Sequence, residues 1–169
     1  MLFRRLGVCV SGWSLDAAEE VCAVDIDTLQ SLVAKSLVRR TGDRYWLLET
    51  IREFALERLE QSSEAEELRR RHAEFFLALA LSANLQVEAL GRGPQRHDLV
   101  IPEQANLRAA LDWSLDAEPE LGLRLAVALE NFWATNDPTE GVRLLEALLA
   151  RGPDARTKLR ARRSACSAG

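Results

Sequence analysis

Lys35, Arg39, Arg40 and Arg44 put four cations into ten residues. Cations at that density can meet phosphate oxygens or a carboxylate-bearing protein surface. Glu49 and Arg52 follow a few residues later, three apart, and give a polar pair suited to docking. The remaining candidates for chemistry are isolated. His72 stands among Leu68, Phe75 and Phe76 on an apolar helical stripe, with no ligand partner at metal-binding spacing. His97 is followed by Asp98, but no nucleophile is placed by any motif to use them. Cys9, Cys22 and Cys166 form no CxxC pattern, and Cys9 and Cys22 read as small apolar packing residues. Trp13, Trp46, Trp113 and Trp133 lack the basic groove a base-stacking platform needs, so they read as core anchors. No set of residues looks like an active site, and the chain reads as non-catalytic, with no cofactor and no metal.

The cations near residue 40 sit where the hydrophobic period changes. Ahead of them the pattern is helical. Leu2, Phe3 and Leu6 begin a short amphipathic helix that should stop near Gly7. Ser14 can cap a second helix carrying Leu15, Ala18 and Cys22, and Asp25 or Asp27 a third carrying Leu29, Leu32 and Val33. Residues 36–41 and 44–48 then read as two strands around Gly42-Asp43, a hairpin signal. Three helices followed by a hairpin is the order of a winged helix-turn-helix. After it, Thr50 and Glu53 suggest a capping box for a helix burying Ile51, Phe54, Ala55 and Leu59.

A linking helix follows, then a loop from Gly91 with two prolines and two glycines. Further helices open at Pro102, Pro119 and Asp137-Pro138. The second should carry Leu121 through Trp133, and the third Val142, Leu145, Leu148 and Leu149 inward. The fold class is therefore mainly α: a winged helix-turn-helix domain over residues 1–62, a linking helix and loop over 63–102, and a tetratricopeptide-like helical region over 103–169. The longest apolar runs are a few residues, which excludes a membrane span and a signal peptide and leads to a cytoplasmic expectation.

Four segments, LFRRLGVCVSGWSLDAAEEVC, YWLLETIREFALERL, RRRHAEFFLALA and EQANLRAALDWSL, occur in the order found after the nucleotide-binding module of bacterial STAND ATPases. Residues 1–152 resemble the winged-helix and tetratricopeptide-like part of those NB-ARC-like regulators. The resemblance implies a regulatory and scaffold role through protein contacts. The partners would be a nucleotide-binding ATPase module, acting in trans or lost upstream, and a peptide or protein ligand on the repeats. No GxxxxGK[ST] is present, so nucleotide binding by this chain is not expected. Some relatives carry a Met-His-Asp motif at the positions of Leu47, Leu48 and Glu49; Leu48 cannot donate to a phosphate, so that role does not carry over. Repeats of that family run on for hundreds of residues, which leads to the expectation of a fragment or split gene product.

The competing reading is a winged-helix DNA-binding transcriptional regulator. In the recognition position stands 25-DIDTLQSLVAKSLVRR-40, whose first turn carries Asp25 and Asp27 and few base-reading side chains. Residues 101–152 carry a net charge of −5 and the last seventeen residues +4, within a chain of net charge −4. An acidic body opposes non-specific attraction to DNA. Charge therefore favours protein docking through Arg39, Arg40, Arg44, Glu49 and Arg52 over duplex binding.

Overall fold

The computed structural model describes residues 2–90 and 99–151, without the side chains of 85–90. The basic tail, His97, Cys166 and most of the Gly91–Pro102 loop lie outside the described residues. The chain divides into two units: Met1–Phe76 with Ile101–Ala109, and Leu77–Val100 with Ala110–Gly169.

The first unit begins with a 3-10 helix, Leu2–Val8, followed by α1 (Leu15–Glu20) and α2 (Ile26–Ala34). Both helices start on the caps their sequences offer. The Ser14 hydroxyl accepts from the Ala17 amide, and the Asp25 carboxylate from the Thr28 amide at 2.7 Å. Strand β1 (Arg39–Thr41) pairs antiparallel with β2 (Arg44–Trp46), with Thr41 opposite Arg44 across the Gly42-Asp43 turn. Gly42 has φ +59°, the left-handed value such a tight turn demands. A further bridge joins the hairpin to the stretch before α1: the Trp13 amide donates to Tyr45 O at 2.8 Å and the Tyr45 amide to Trp13 O at 2.9 Å. The result is a mainly helical chain with a small two-stranded hairpin, an arrangement consistent with a winged helix.

Helix α3 (Glu49–Glu60) follows β2 directly and packs on the first 3-10 helix through Ala55 and Leu59. Trp13 and Leu6 lie fully buried in the same core with Leu29, Leu59 and Leu68, the last from the start of α4 (Ala65–Leu90). The first helix stops near Gly7 as expected, at Val8, though it is 3-10 in form, with Gly7 in its last turn and buried against α3. Two local expectations are corrected here. Thr50 and Glu53 do not form the capping box, because the helix starts two residues too early: Glu49 is already helical and Leu48 stands at the N-cap with no side-chain bond. Phe54 faces out at 49% exposure, its ring covered instead by Arg58 at 5.1 Å. The 3-10 turn Ile101–Glu103 and the first residues of α5 (Gln104–Ala117) complete this unit.

The second unit holds the remainder of α4 and α5, then α6 (Pro119–Ala128), α7 (Glu130–Asn136) and α8 (Pro138–Arg151). Pro119 opens α6 as expected, but the helix ends at Leu129, and Phe132 and Trp133 belong to the separate α7. The buried side of α8 is Gly141, Leu144 and Leu148; Val142 points outward at 56% exposure, and Leu145 and Leu149 are half-buried. Gly122 lets α6 approach Leu148 of α8, where a Cβ would stand 2.6 Å from a leucine methyl group. No described helix is long and apolar enough to cross a membrane.

Candidate interaction surface

The hairpin alternates its side chains, so Arg39, Thr41, Arg44 and Trp46 share one face of the ribbon, and Arg40 and Tyr45 the other. Arg39 is exposed, and its guanidinium lies 5.4 Å from the Trp46 ring centre. Arg40, also exposed, lies 5.6 Å from the Tyr45 ring and 4.0 Å from Asp43, and donates to Gly42 O. Stacking of this kind holds a guanidinium in place while leaving its N–H edge to solvent. Trp46 in turn donates its indole N–H to the Thr41 hydroxyl at 3.3 Å.

Arg44 is differently placed. Its Nη1 donates to Glu103 Oε1 at 2.5 Å, and its Nη2 to Gly12 O at 3.1 Å and Pro102 O at 3.3 Å. Glu103 is buried, at 7% exposure, and its second oxygen accepts from Asn106 Nδ2 at 2.7 Å. Asn106 is fully buried and uses both ends of its amide: Oδ1 accepts from the Val10 amide at 2.6 Å, and Nδ2 also donates to Gly12 O at 2.9 Å. Nearly every polar atom of the cluster thus has a partner, the condition under which a buried ion pair is tolerated. Gly12 has φ +118° and a Cβ there would stand 3.1 Å from Tyr45 O, so the carbonyl that both Arg44 and Asn106 use sits on a backbone suited to glycine.

Glu49 and Arg52 are paired with each other across the first turn of α3: Arg52 Nη2 lies 2.7 Å from Glu49 Oε1 and Nε 3.2 Å from both oxygens. That fork holds the Glu49 carboxyl below its usual range. The five predicted surface residues therefore form two groups, Arg39, Arg40 and Arg44 on the hairpin and Glu49 with Arg52 at the start of α3. Leu48, at 38% exposure, and Phe54 add apolar surface beside the second group. At the start of α2, Asp25 is held below the ordinary carboxylate range by the Thr28 amide it caps. It is therefore a firm negative charge at the turn a recognition helix would present.

His72 is buried at 2% exposure, against Phe76 at 4.7 Å between ring centres, and its Nε2 has no hydrogen-bond partner. Burial pushes its pKa down to about 4, partly opposed by the side chain of Asn106. It is a neutral core histidine. Of the tryptophans, Trp13 and Trp133 are buried anchors, while Trp46 and Trp113 are half-buried.

Sequence reasoning missed Glu103 and Asn106. Their signal was available: two polar residues three apart, on the same helical side as the apolar Leu107, Ala110 and Leu111. A polar pair on an apolar stripe must be satisfied by something across the core.

Comparison with curated proteins finds three relatives, one from Mycobacterium bovis and two from strains of Mycobacterium tuberculosis, named as candidate HTH-type transcriptional regulators. Each is 37% identical over 149 residues, which covers 79% of this chain and 16% of the relative. The chain thus spans less than a fifth of the length of these relatives. No family model matches, and no solved structure matches.

Proposed function

We propose that this chain is the winged-helix part of a DNA-binding transcriptional regulator of helix-turn-helix type, and that it is non-catalytic. The observation that carries this reading is the 37% identity, over 79% of the chain, to proteins bearing that name. The helix-helix-hairpin order supports it. In this reading Arg39 and Arg40, exposed and stacked on aromatic rings, offer their guanidinium edges to backbone phosphates. They position the protein; base reading falls to the thin set of Gln30, Ser31 and Lys35, exposed on and just after α2.

A specific observation favours a second reading for this segment of the regulator. The ionised Asp25 and the neighbouring Asp27 stand where a duplex would approach α2, and exposed Leu48 and Phe54 flank the Glu49–Arg52 pair. Those features suit a protein partner, such as the nucleotide-binding module of a STAND-type ATPase, with the tetratricopeptide-like helices taking a peptide ligand.

A salt titration of binding to mixed-sequence duplex DNA separates the two. Phosphate contact by two or three cations predicts a log–log slope of roughly −2 to −3, and a shallower slope for Arg39→Gln with Arg40→Gln. Absence of binding at low salt would remove direct duplex contact and leave protein docking.

A further inference from the structure

Of the three hairpin arginines, Arg44 is the one whose charge meets a buried carboxylate; Arg40 lies 4.0 Å from the exposed Asp43. Hairpin register puts it on the same face as Arg39 and Trp46. Its guanidinium is held by a buried carboxylate and two backbone carbonyls from outside the hairpin. Glu103 approaches from a one-turn 3-10 helix, 59 residues further along the chain. That turn has its own attachment, since Asn106 grips the Val10 amide and the Gly12 carbonyl without using Arg44. The Glu103–Arg44 pair is therefore one attachment of the turn among several. A carboxylate presenting an oxygen to a guanidinium imitates a phosphate doing the same.

We infer that Glu103 is an internal stand-in for a DNA phosphate, withholding Arg44 from the cationic face of the hairpin until a duplex competes for it. The inference rests on the DNA-binding reading above. It adds a regulated second cation to a face that otherwise offers Arg39 alone, with Arg40 on the opposite face of the ribbon. Displacing Glu103 leaves its carboxylate bonded to Asn106, so the exchange swaps one charge-assisted contact for another at the cost of a buried carboxylate without its guanidinium. The face is thereby weak for isolated phosphates and stronger for a continuous backbone that can engage Arg39 and Arg44 together.

The test uses the full chain and a mixed-sequence duplex. Glu103→Gln keeps the side chain's volume and its acceptor for Asn106 while releasing the Arg44 charge. It should bind at least about threefold tighter at low salt with an unchanged salt slope, because the same phosphate contacts form without the cost of displacing Glu103. The double change Glu103→Gln with Arg44→Gln removes both charges and should give a salt slope shallower than wild type by about 0.9, the loss of one phosphate contact. In the unaltered protein, amides 101–103 should exchange faster when duplex is saturating. If Glu103→Gln binds no tighter while Arg39→Gln still weakens binding, the gate is wrong and the DNA reading survives. If the double variant keeps the wild-type slope, or exchange at 101–103 does not rise, Arg44 never leaves Glu103 for the duplex and the inference fails. If neither wild type nor Glu103→Gln binds at all, both readings fall together.

Discussion

A Cβ added to Gly7 would stand 2.6 Å from the backbone nitrogen of Leu56. The 3-10 helix and α3 therefore touch backbone to backbone, at a separation only glycine permits. Leu6 and Val8 on either side are buried, so the turn cannot lift away without opening the core. Gly7→Ala should destabilise the chain by about 1–3 kcal/mol through overpacking against a helix backbone that cannot move aside. Denaturant unfolding followed by ellipticity would show a lower midpoint. A change below about 0.5 kcal/mol, the range of an ordinary surface substitution, would mean that the two helices do not meet this closely.

His72 predicts how stability falls in acid. Its folded pKa is about 4, below the ordinary 6.5, because burial disfavours the imidazolium. Between those values the unfolded chain binds the proton and the folded chain does not, so stability drops as pH falls from 6.5 to 4 and this contribution then levels off. The loss should be about 3 kcal/mol across that window. His72→Leu should flatten that part of the stability–pH curve, measured by denaturant titration at several pH values. An unchanged slope would show that other groups set it.

Glu64 works over a lower window. Its carboxylate receives Arg4 Nη2 at 2.7 Å and a closer bond from Arg5. These two, Arg5 first, hold its pKa at about 2. A depressed carboxylate pKa contributes stability above 4.5 that fades as pH falls towards 2. Glu64→Gln should remove that acid-sensitive step while leaving the His72 step in place. The direct measurement is the carboxyl titration midpoint by NMR, and a midpoint near 4.5 would contradict the double-arginine clamp.

The parts of this fold that could be read from sequence are the ones whose chemistry is local. Ser14 and Asp25 cap the helices they precede, three residues from the amides they serve. Gly42-Asp43 turns the hairpin with no help from elsewhere. The parts that could not be read join residues far apart. Arg44 reaches Gly12 across 32 residues and Glu103 across 59, and Asn106 reaches Gly12 across 94. Local period and propensity carry no information about such pairs. Arg39 and Arg40 could be read as surface cations because, among the described residues, nothing distant engages them through a carboxylate; Arg44, identical in type, could not be told apart from them. Gly7 shows both halves: its place at the end of the first helix is local and could be read, while its contact with α3 is distant and could not.

The start of α3 is the sharpest case of a local signal overruled. Thr50 and Glu53 have the spacing of a capping box, yet Leu48 occupies the N-cap, with extended φ −61° and ψ 145°, and its carbonyl accepts the first helical amides from Ile51 and Arg52. Tertiary pairing explains the shift. Tyr45 is locked to Trp13 and Leu47 is buried, so the chain must leave the hairpin at Leu48 and begin the helix at once. Two amides of the first turn are left without a side-chain acceptor. Leu48→Ser supplies one, and Leu48→Ala is its reference, because Leu48 is only 38% exposed and both changes give up the same apolar burial. The serine variant should be more stable than the alanine variant by about 0.5–1 kcal/mol. Thr50→Ala, which would be costly if Thr50 were the cap, should change stability by no more than about 0.5 kcal/mol. Thermal melts of the three variants decide it: a loss on Thr50→Ala larger than about 1 kcal/mol, with no advantage of Leu48→Ser over Leu48→Ala, would return the cap to Thr50.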